Sequence, residues 1–168
     1  MSHSAVLDVQ FFYLPTTREY IVKEFAVKNL STSYEFVALF KPPYINLKHE
    51  DETQVKFVSK NLMKIAWHSG NIDYVKLDSI CQTLDAKYSR FYVKGDVKRK
   101  ILLEKMQRPI INIEKLPFYS IPLKEIGLQK IPCKNHFDVY SNKICALANV
   151  RYIYDLVRVY FCPMFKDY

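Results

Sequence analysis

The opening stretch, through Pro43, constrains this chain most, because it alternates, turns and alternates again with no room for a helix. Ala5-Val-Leu-Asp-Val-Gln10 followed by Phe11-Phe-Tyr13 reads as a buried strand. Pro15-Thr-Thr-Arg18 turns it, and Glu19 to Asn29 alternates as a second strand. Leu30-Ser-Thr-Ser33 is the next turn, and Tyr34 to Phe40 the third strand. Lys41-Pro-Pro43 closes it, since proline cannot donate to a ladder. Strands joined by turns this short predict an antiparallel meander.

Beyond the meander, helix and strand alternate. Glu50-Asp-Glu52 places acids where a helix N-terminus favours them, and Val55, Val58, Leu62 and Ile65 then recur at helical spacing. A second helix is predicted from Tyr74 to Ala86, with Val75, Leu77, Ile80, Cys81 and Leu84 inward. Arg90-Phe-Tyr-Val93 is a fourth strand, Asp96 to Gln107 a basic helix, and Ile110-Ile-Asn-Ile113 a fifth strand. Glu114 to Pro132 reads as irregular, punctuated by Pro117, Pro122 and Pro132, and an apolar helix from Asn142 to Phe161 follows. The expectation is a mixed α/β fold in which helices flank a five-stranded sheet. No internal repeat or boundary divides residues 1–168, so a single domain is expected.

The chain's 168 residues, 49% of them hydrophobic and only three of them glycine, suffice to bury a core without staples. The apolar run from Ala146 to Phe165 is broken by Arg151, Asp155 and Arg158, which argues against a membrane span. Residues Met1 to Asp8 show neither a basic n-region nor an apolar h-region, so no secretory signal is expected. Four cysteines without a signal point to a reducing, intracellular compartment, cytoplasmic or nuclear, and to metal or core roles. Cys81 and Cys162 read as core. The net charge of +8 and a pI of about 9.2 favour a polyanionic partner, nucleic acid first and an anionic membrane surface second. Lys94, Lys98, Arg99, Lys100, Lys105 and Arg108 cluster on the basic helix and its flanks as nucleic-acid contacts, with Lys124, Lys130 and Lys134 as a second group. The alternative is a solvated surface that is simply basic.

Near the end, Cys133-Lys-Asn-His136 is followed after eight residues by Cys145. A thiol and an imidazole on one tight turn can grip a single ion, and a second thiol at the next helix start adds a third ligand. Soft sulfur with borderline nitrogen suits zinc. The alternative is two core thiols and a surface histidine.

The element order, three antiparallel strands and then helix-strand repeats, resembles the ribonuclease H-like fold. Within it, the motifs can be compared with the DnaQ-like (DEDD) exonucleases, whose four carboxylates hold two metal ions that activate water. Their first-strand Asp-x-Glu corresponds to Asp8-Val-Gln10, their second Asp to Lys98, and His-x-Ala-Leu-x-Asp to Ile144-Cys-Ala-Leu-Ala-Asn149. The resemblance thus implies degenerate catalytic positions at Asp8, Gln10, Lys98 and Asn149. Three carboxylates are replaced, one by a cation, which disfavours a conventional two-metal exonuclease.

Loss of the acidic set together with a Cys/His set resembles the Maelstrom domain, a degenerate member of the same branch associated with small-RNA silencing of transposons. Its pattern of an early Glu, two central His and a late Cys, His and Cys matches Glu24, His49, His68, Cys133, His136 and Cys145. The chain is also similar to small arthropod proteins with the same Asp-x-Gln, Cys-x-x-His and Cys-Ala-Leu. The resemblance implies one structural zinc on Glu24, Cys133, His136 and Cys145, with His68 either a second-sphere or a loop-capping group. Alternation places Val22 and Glu24 on one face, so Glu24 needs either solvent or a buried partner. Tyr88, Phe91 and Tyr92 either stack on bases or belong to the core. The implied partner is RNA or another single-stranded nucleic acid, or a protein, and not a membrane. Two other readings stay open: a single-strand RNA nuclease acting through His68 or Asp8, and a protein-only scaffold from a virus or mobile element.

Overall fold

A computed structural model describes residues 3–117, 135–136 and 145–161. The described residues form a mixed α/β fold. The three strands of the meander are β1 (Ser4–Leu14), β2 (Glu19–Asn29) and β3 (Glu35–Leu39). They are followed by α1 (His49–Val58), α2 (Lys76–Lys87), β4 (Arg90–Val93), α3 (Asp96–Leu103), β5 (Ile110–Asn112) and α4 (Ala146–Phe161). The sheet order is β3-β2-β1-β4-β5. β1 and β3 run antiparallel to β2, whereas β4 joins β1 in parallel, Ser4 opposite Arg90, and β5 joins β4 in parallel.

Alternation along the strands sends successive residues to two different cores. Ala5, Leu7, Val9, Phe25 and Val27 pack with Leu77, Cys81 and Leu84 of α2 and with Ile101 and Leu102 of α3. Val6, Ala26 and Tyr92 pack with Val150, Ile153, Leu156 and Val157 of α4. The sheet therefore lies between α2 and α3 on one side and α4 on the other. α1 closes the far end of β1, where Phe12, Leu14 and Ile21 meet Val55. Asp51, in the first turn of α1, accepts from the Thr16 amide (3.0 Å) and from the Thr16 hydroxyl, tying the β1–β2 turn to this helix. None of the described helices is long and apolar enough to cross a membrane.

Two glycines are required by backbone geometry. Gly95, at φ 103, turns β4 into α3, and its amide donates to Asn112 Oδ1. At Gly70, φ 128, an added Cβ would come within 2.5 Å of the Phe40 carbonyl.

Several expectations shift by a residue or a turn. α1 ends in a π segment, Ser59–Met63, closed by Lys64 in the left-handed region. The extra residue in that turn rotates the helical face, so Met63 is buried where Leu62 was expected, and Leu62 is exposed. Val75 precedes α2 instead of lying within it and is 79% exposed. α3 stops at Leu103, leaving Lys105 and Arg108 beyond the helix. Of the last predicted helix, residues 142–144 lie outside the described residues.

The largest departure is in β2. The ladder pairs Gln10 with Glu24 and then Phe11 with Val22, so Lys23 is a bulged residue with no counterpart on β1. The bulge breaks the expected alternation: Val22 joins the α2 core, while Glu24 faces the other way, beside Gln10 and Ala26. Lys23 itself is buried, and its ammonium donates to the carbonyls of Phe40 (2.9 Å), Trp67 (2.7 Å) and Ser69.

Burial pushes the Lys23 ammonium down from its ordinary 10.5 to about 8. Between those values the unfolded chain keeps a proton that the folded chain has lost, so stability rises with pH across that window. Urea denaturation should show wild type gaining on the order of 3 kcal/mol over Lys23→Met between pH ~8 and ~10.5. Parallel stability curves for the two proteins would refute the depressed pKa.

Candidate functional site

The bulge delivers Glu24 to the N-terminus of α4. Its Oε1 accepts from the Ala146 amide at 2.7 Å, and its Oε2 lies 3.0 Å from His136 Nε2. Cys145 immediately precedes α4, and its Sγ accepts from the Ala148 amide at 3.4 Å, capping the helix start with sulfur. Glu24, His136 and Cys145 are all buried, and their ligand atoms lie within 4.8 Å of one another. This group could hold a metal ion.

The protonation pattern argues for a cation here. His136 Nδ1 is 2.7 Å from the Met63 carbonyl, which can only accept, so Nδ1 carries the hydrogen. In a neutral ring that leaves the Nε2 lone pair facing the Glu24 carboxylate, acceptor against acceptor. Nε2 is buried and lacks a well-directed hydrogen bond among the described residues, although Glu24 lies at ion-pair distance. A positive charge between them removes the conflict, whether a proton on Nε2 or a metal ion. Burial drives the imidazole pKa down, yet Cys145, Glu24 and the Met63 carbonyl outweigh it and bring it up to about 10. Burial likewise raises the Glu24 carboxyl, and neighbouring Cys145 adds to the rise.

The donor set fits a metal. One carboxylate oxygen, one imidazole nitrogen and one thiolate sulfur converge at a spacing that a small contraction closes to bonds of about 2.0–2.3 Å. Each donor is oriented from behind: Met63 holds the imidazole, Ala146 the carboxylate and Ala148 the sulfur. Cys133, the expected fourth ligand, lies outside the described residues. His68 is exposed; the outer-sphere contact on the imidazole comes from the Met63 carbonyl. His49 is exposed as well. No side-chain pattern in the sequence could have announced a backbone carbonyl in that role.

A second buried cluster sits beside the first. Asp8 is enclosed on β1, two residues from Gln10 and on the same face. Its Oδ2 accepts from Gln10 Nε2 (2.8 Å) and Asn149 Nδ2 (3.0 Å), and its Oδ1 pairs with Lys98 Nζ at 2.7 Å. The four positions singled out as degenerate thus meet at one carboxylate. Burial pushes the Asp8 carboxyl up, opposed by Lys98, Asn149 and Gln10. A cavity of about 250 Å³ opens here, lined by Asp8, Lys94, Lys98, Glu114, Asn149 and Tyr152.

The six cations expected to act together are divided. Lys94 and Lys98 line the cavity, and Lys100 is exposed. Arg99 donates to the Ile110 carbonyl, Lys105 pairs with Asp78, and Arg108 donates to the Asp85 carbonyl. With Lys98 paired to Asp8, four of the six are therefore engaged in holding α3 and its flank to neighbouring elements. Tyr88, Phe91 and Tyr92 are buried, so they form core and not a stacking surface. Cys81 is core too, its thiol pushed up to about 12 by burial. Lys124, Lys130, Lys134 and Cys162 lie outside the described residues. Comparison with protein-family models, with curated proteins and with solved structures gives no match to this chain.

Two measurements check the clusters. Removing bound metal with a chelator, or substituting His136→Ala, should cost about 3 kcal/mol and lower Tm by roughly 6–12 °C for a domain of this size. An unchanged Tm after chelation, with no ion released, would mean that no metal supports the fold here. Lys98→Met should cost about 3 kcal/mol or more by stranding Asp8 without a counter-charge, and adding Asp8→Asn should recover at least half of the loss. Urea denaturation of the double-mutant cycle reads this directly; simple additivity would show the two groups to be uncoupled.

Proposed function

We propose that the chain is a ribonuclease H-like, Maelstrom-like domain whose acidic two-metal centre has been replaced by an internally neutralised cluster, and that it works as an RNA-binding module. The observation that carries this reading is the ammonium of Lys98 held 2.7 Å from Asp8, with Gln10 and Asn149 on the other oxygen. Two divalent ions need several carboxylates to offset their charge. Of the four positions that correspond to the metal-binding acids only Asp8 is a carboxylate, and a cation tethered to the chain already neutralises it, which leaves Glu114 as the other acid lining the cavity. The strand order β3-β2-β1-β4-β5, with β2 antiparallel to both neighbours, supports the fold assignment.

We assign zinc as the ion that Glu24, His136 and Cys145 would hold, with Cys133, which lies outside the described residues, as the fourth ligand that the Maelstrom resemblance implies. Sulfur and imidazole donors favour zinc over magnesium or calcium. Four protein ligands close the tetrahedron, so the role is structural: the metal fixes the start of α4 against β2.

RNA is favoured by the net charge of +8, by Lys94 in the cavity lining and by the exposed Lys100 on α3. Phosphate contacts predict steep salt dependence through counterion release. Fluorescence anisotropy with labelled single-stranded RNA should show affinity falling by an order of magnitude or more between roughly 50 and 200 mM salt. The exposed variant Lys100→Glu combined with Lys94→Glu should weaken binding by about tenfold. No magnesium-dependent shortening of the RNA is expected. Salt-independent or absent binding would overturn the RNA assignment and leave a protein-interaction module. Magnesium-dependent cleavage lost in Asp8→Asn would overturn the degenerate-site reading.

A further inference from the structure

One closed loop of buried bonds joins the metal centre to the cavity. On the helix side, the Ala146 amide donates to Glu24 Oε1 at 2.7 Å, and the Asn149 amide donates to the Cys145 carbonyl at 2.9 Å. The Asn149 side chain then reaches Asp8 Oδ2 at 3.0 Å. On the sheet side, Glu24 lies opposite Gln10, whose Nε2 donates to the same Asp8 oxygen at 2.8 Å. Asp8, Gln10, Glu24, Cys145 and Asn149 are all buried, and a close-packed interior passes a displacement from one group to the next.

The cavity of about 250 Å³ depends on the same helix. Asn149, Tyr152 and Ile153, near the start of α4, form one wall, while Lys94 and Lys98 line it from the β4–α3 connection and α3. The two ways of placing positive charge at Glu24 do not hold this helix equally. A proton on His136 Nε2 makes a hydrogen bond to one carboxylate. An ion held by the oxygen, nitrogen and sulfur together bonds β2 directly to Cys145, the residue before α4. That differential contact is what an effector needs to shift an equilibrium.

We propose that an ion at Glu24, His136 and Cys145 acts as an effector of the cavity: it fixes the start of α4, and Asn149 carries the effect to Asp8 and the cavity wall. Resting on the RNA-binding reading above, the coupling means that single-stranded RNA binds the zinc-loaded chain more tightly than the stripped one. Linkage makes the effect reciprocal, so RNA tightens zinc by the same factor.

The test uses the full chain, zinc-loaded or chelator-stripped, at a temperature where circular dichroism shows both folded. Labelled single-stranded RNA at one fixed salt concentration should bind the zinc-loaded chain about tenfold more tightly, a typical coupling between sites. Competition with a zinc indicator should show RNA raising zinc affinity by the same factor. In Asn149→Ala the three donors remain, so zinc should still bind, but the two ligands should no longer affect each other. In His136→Ala, added zinc should leave RNA affinity unchanged. Equal RNA affinity with and without zinc would overturn the coupling, as would a zinc effect that persists in Asn149→Ala or His136→Ala.

Amide hydrogen exchange reads the helix without RNA. Zinc should slow exchange from Asn149 to Ile153 severalfold more than in α2, on the other face of the sheet. Equal slowing in both helices would mean that zinc acts only through the stability of the whole fold, which also overturns the proposal. Protection centred on α4 in a chain that binds no RNA would sustain the coupling and overturn the RNA reading instead.

Discussion

Lys23 has no counterpart in the β1–β2 ladder, and that one unpaired position decides which side of the sheet carries the chemistry. In strict alternation Glu24 would share a face with Val22 and be forced into the apolar core under α2. The bulge sends Val22 there alone and turns Glu24 towards α4, in line with Gln10 and Asp8. The extra residue does not go to waste: its ammonium binds the ends of β3 and the Trp67–Ser69 loop together through three carbonyls. A lysine is suited to this because three donors on one flexible stem can satisfy three backbone acceptors that no ladder reaches. The same loop packs against β1 through the edge-to-face contact of Trp67 with Phe12.

The two buried clusters are close because a helix and a strand have similar steps. Cys145 and Asn149 are four residues apart, about 6 Å along a helix axis and on one face. Gln10, opposite Glu24, and Asp8 are two residues apart, about 7 Å along a strand. One helix laid across the sheet therefore reaches both carboxylates at once, Cys145 and the Ala146 amide at Glu24, and Asn149 at Asp8. Whatever fixes the first turn of α4 also fixes the amide over Asp8 and the wall of the cavity that Asn149 and Tyr152 share.

Much of this was legible in the sequence, and the failures have local causes. β2 and β4 fall where alternation and turn residues place them, since both are long-range partners of β1 with one or both faces in a core. That Asp8, Gln10, Lys98 and Asn149 share one site was implied by the resemblance to the exonuclease motifs, and that Glu24 joins His136 and Cys145 by the resemblance to the Maelstrom pattern; the side chains of each set do meet. What periodicity could not show was any change of period. The bulge at Lys23 and the π segment at Ser59–Met63 each insert one residue, and each inverted an expectation, at Val22 against Glu24 and at Leu62 against Met63. Counting charges also misled, because Arg99, Lys105 and Arg108 serve as local tethers that composition cannot tell from free cations. Backbone groups such as the Met63 carbonyl carry no sequence signature at all.

Both clusters answer one electrostatic problem, a carboxylate buried under α4, with different cations. Asp8 receives an ammonium tethered to α3, so its neutralisation is written into the chain and holds sheet to helix under all conditions in which Lys98 is charged. Glu24 receives an imidazole whose lone pair and neighbouring sulfur are themselves acceptors, so its neutralisation must be imported as a proton or a metal ion. The first arrangement cannot be loaded or emptied; the second can. An Asp8 whose oxygens are already taken by Lys98, Gln10 and Asn149 has little capacity left to orient a metal-bound water, and its hydrogen bonds instead join β1, α3 and α4. The centre at Glu24 leaves the chain dependent on its surroundings for one charge, and the first turn of α4 is the element that registers whether that charge is present.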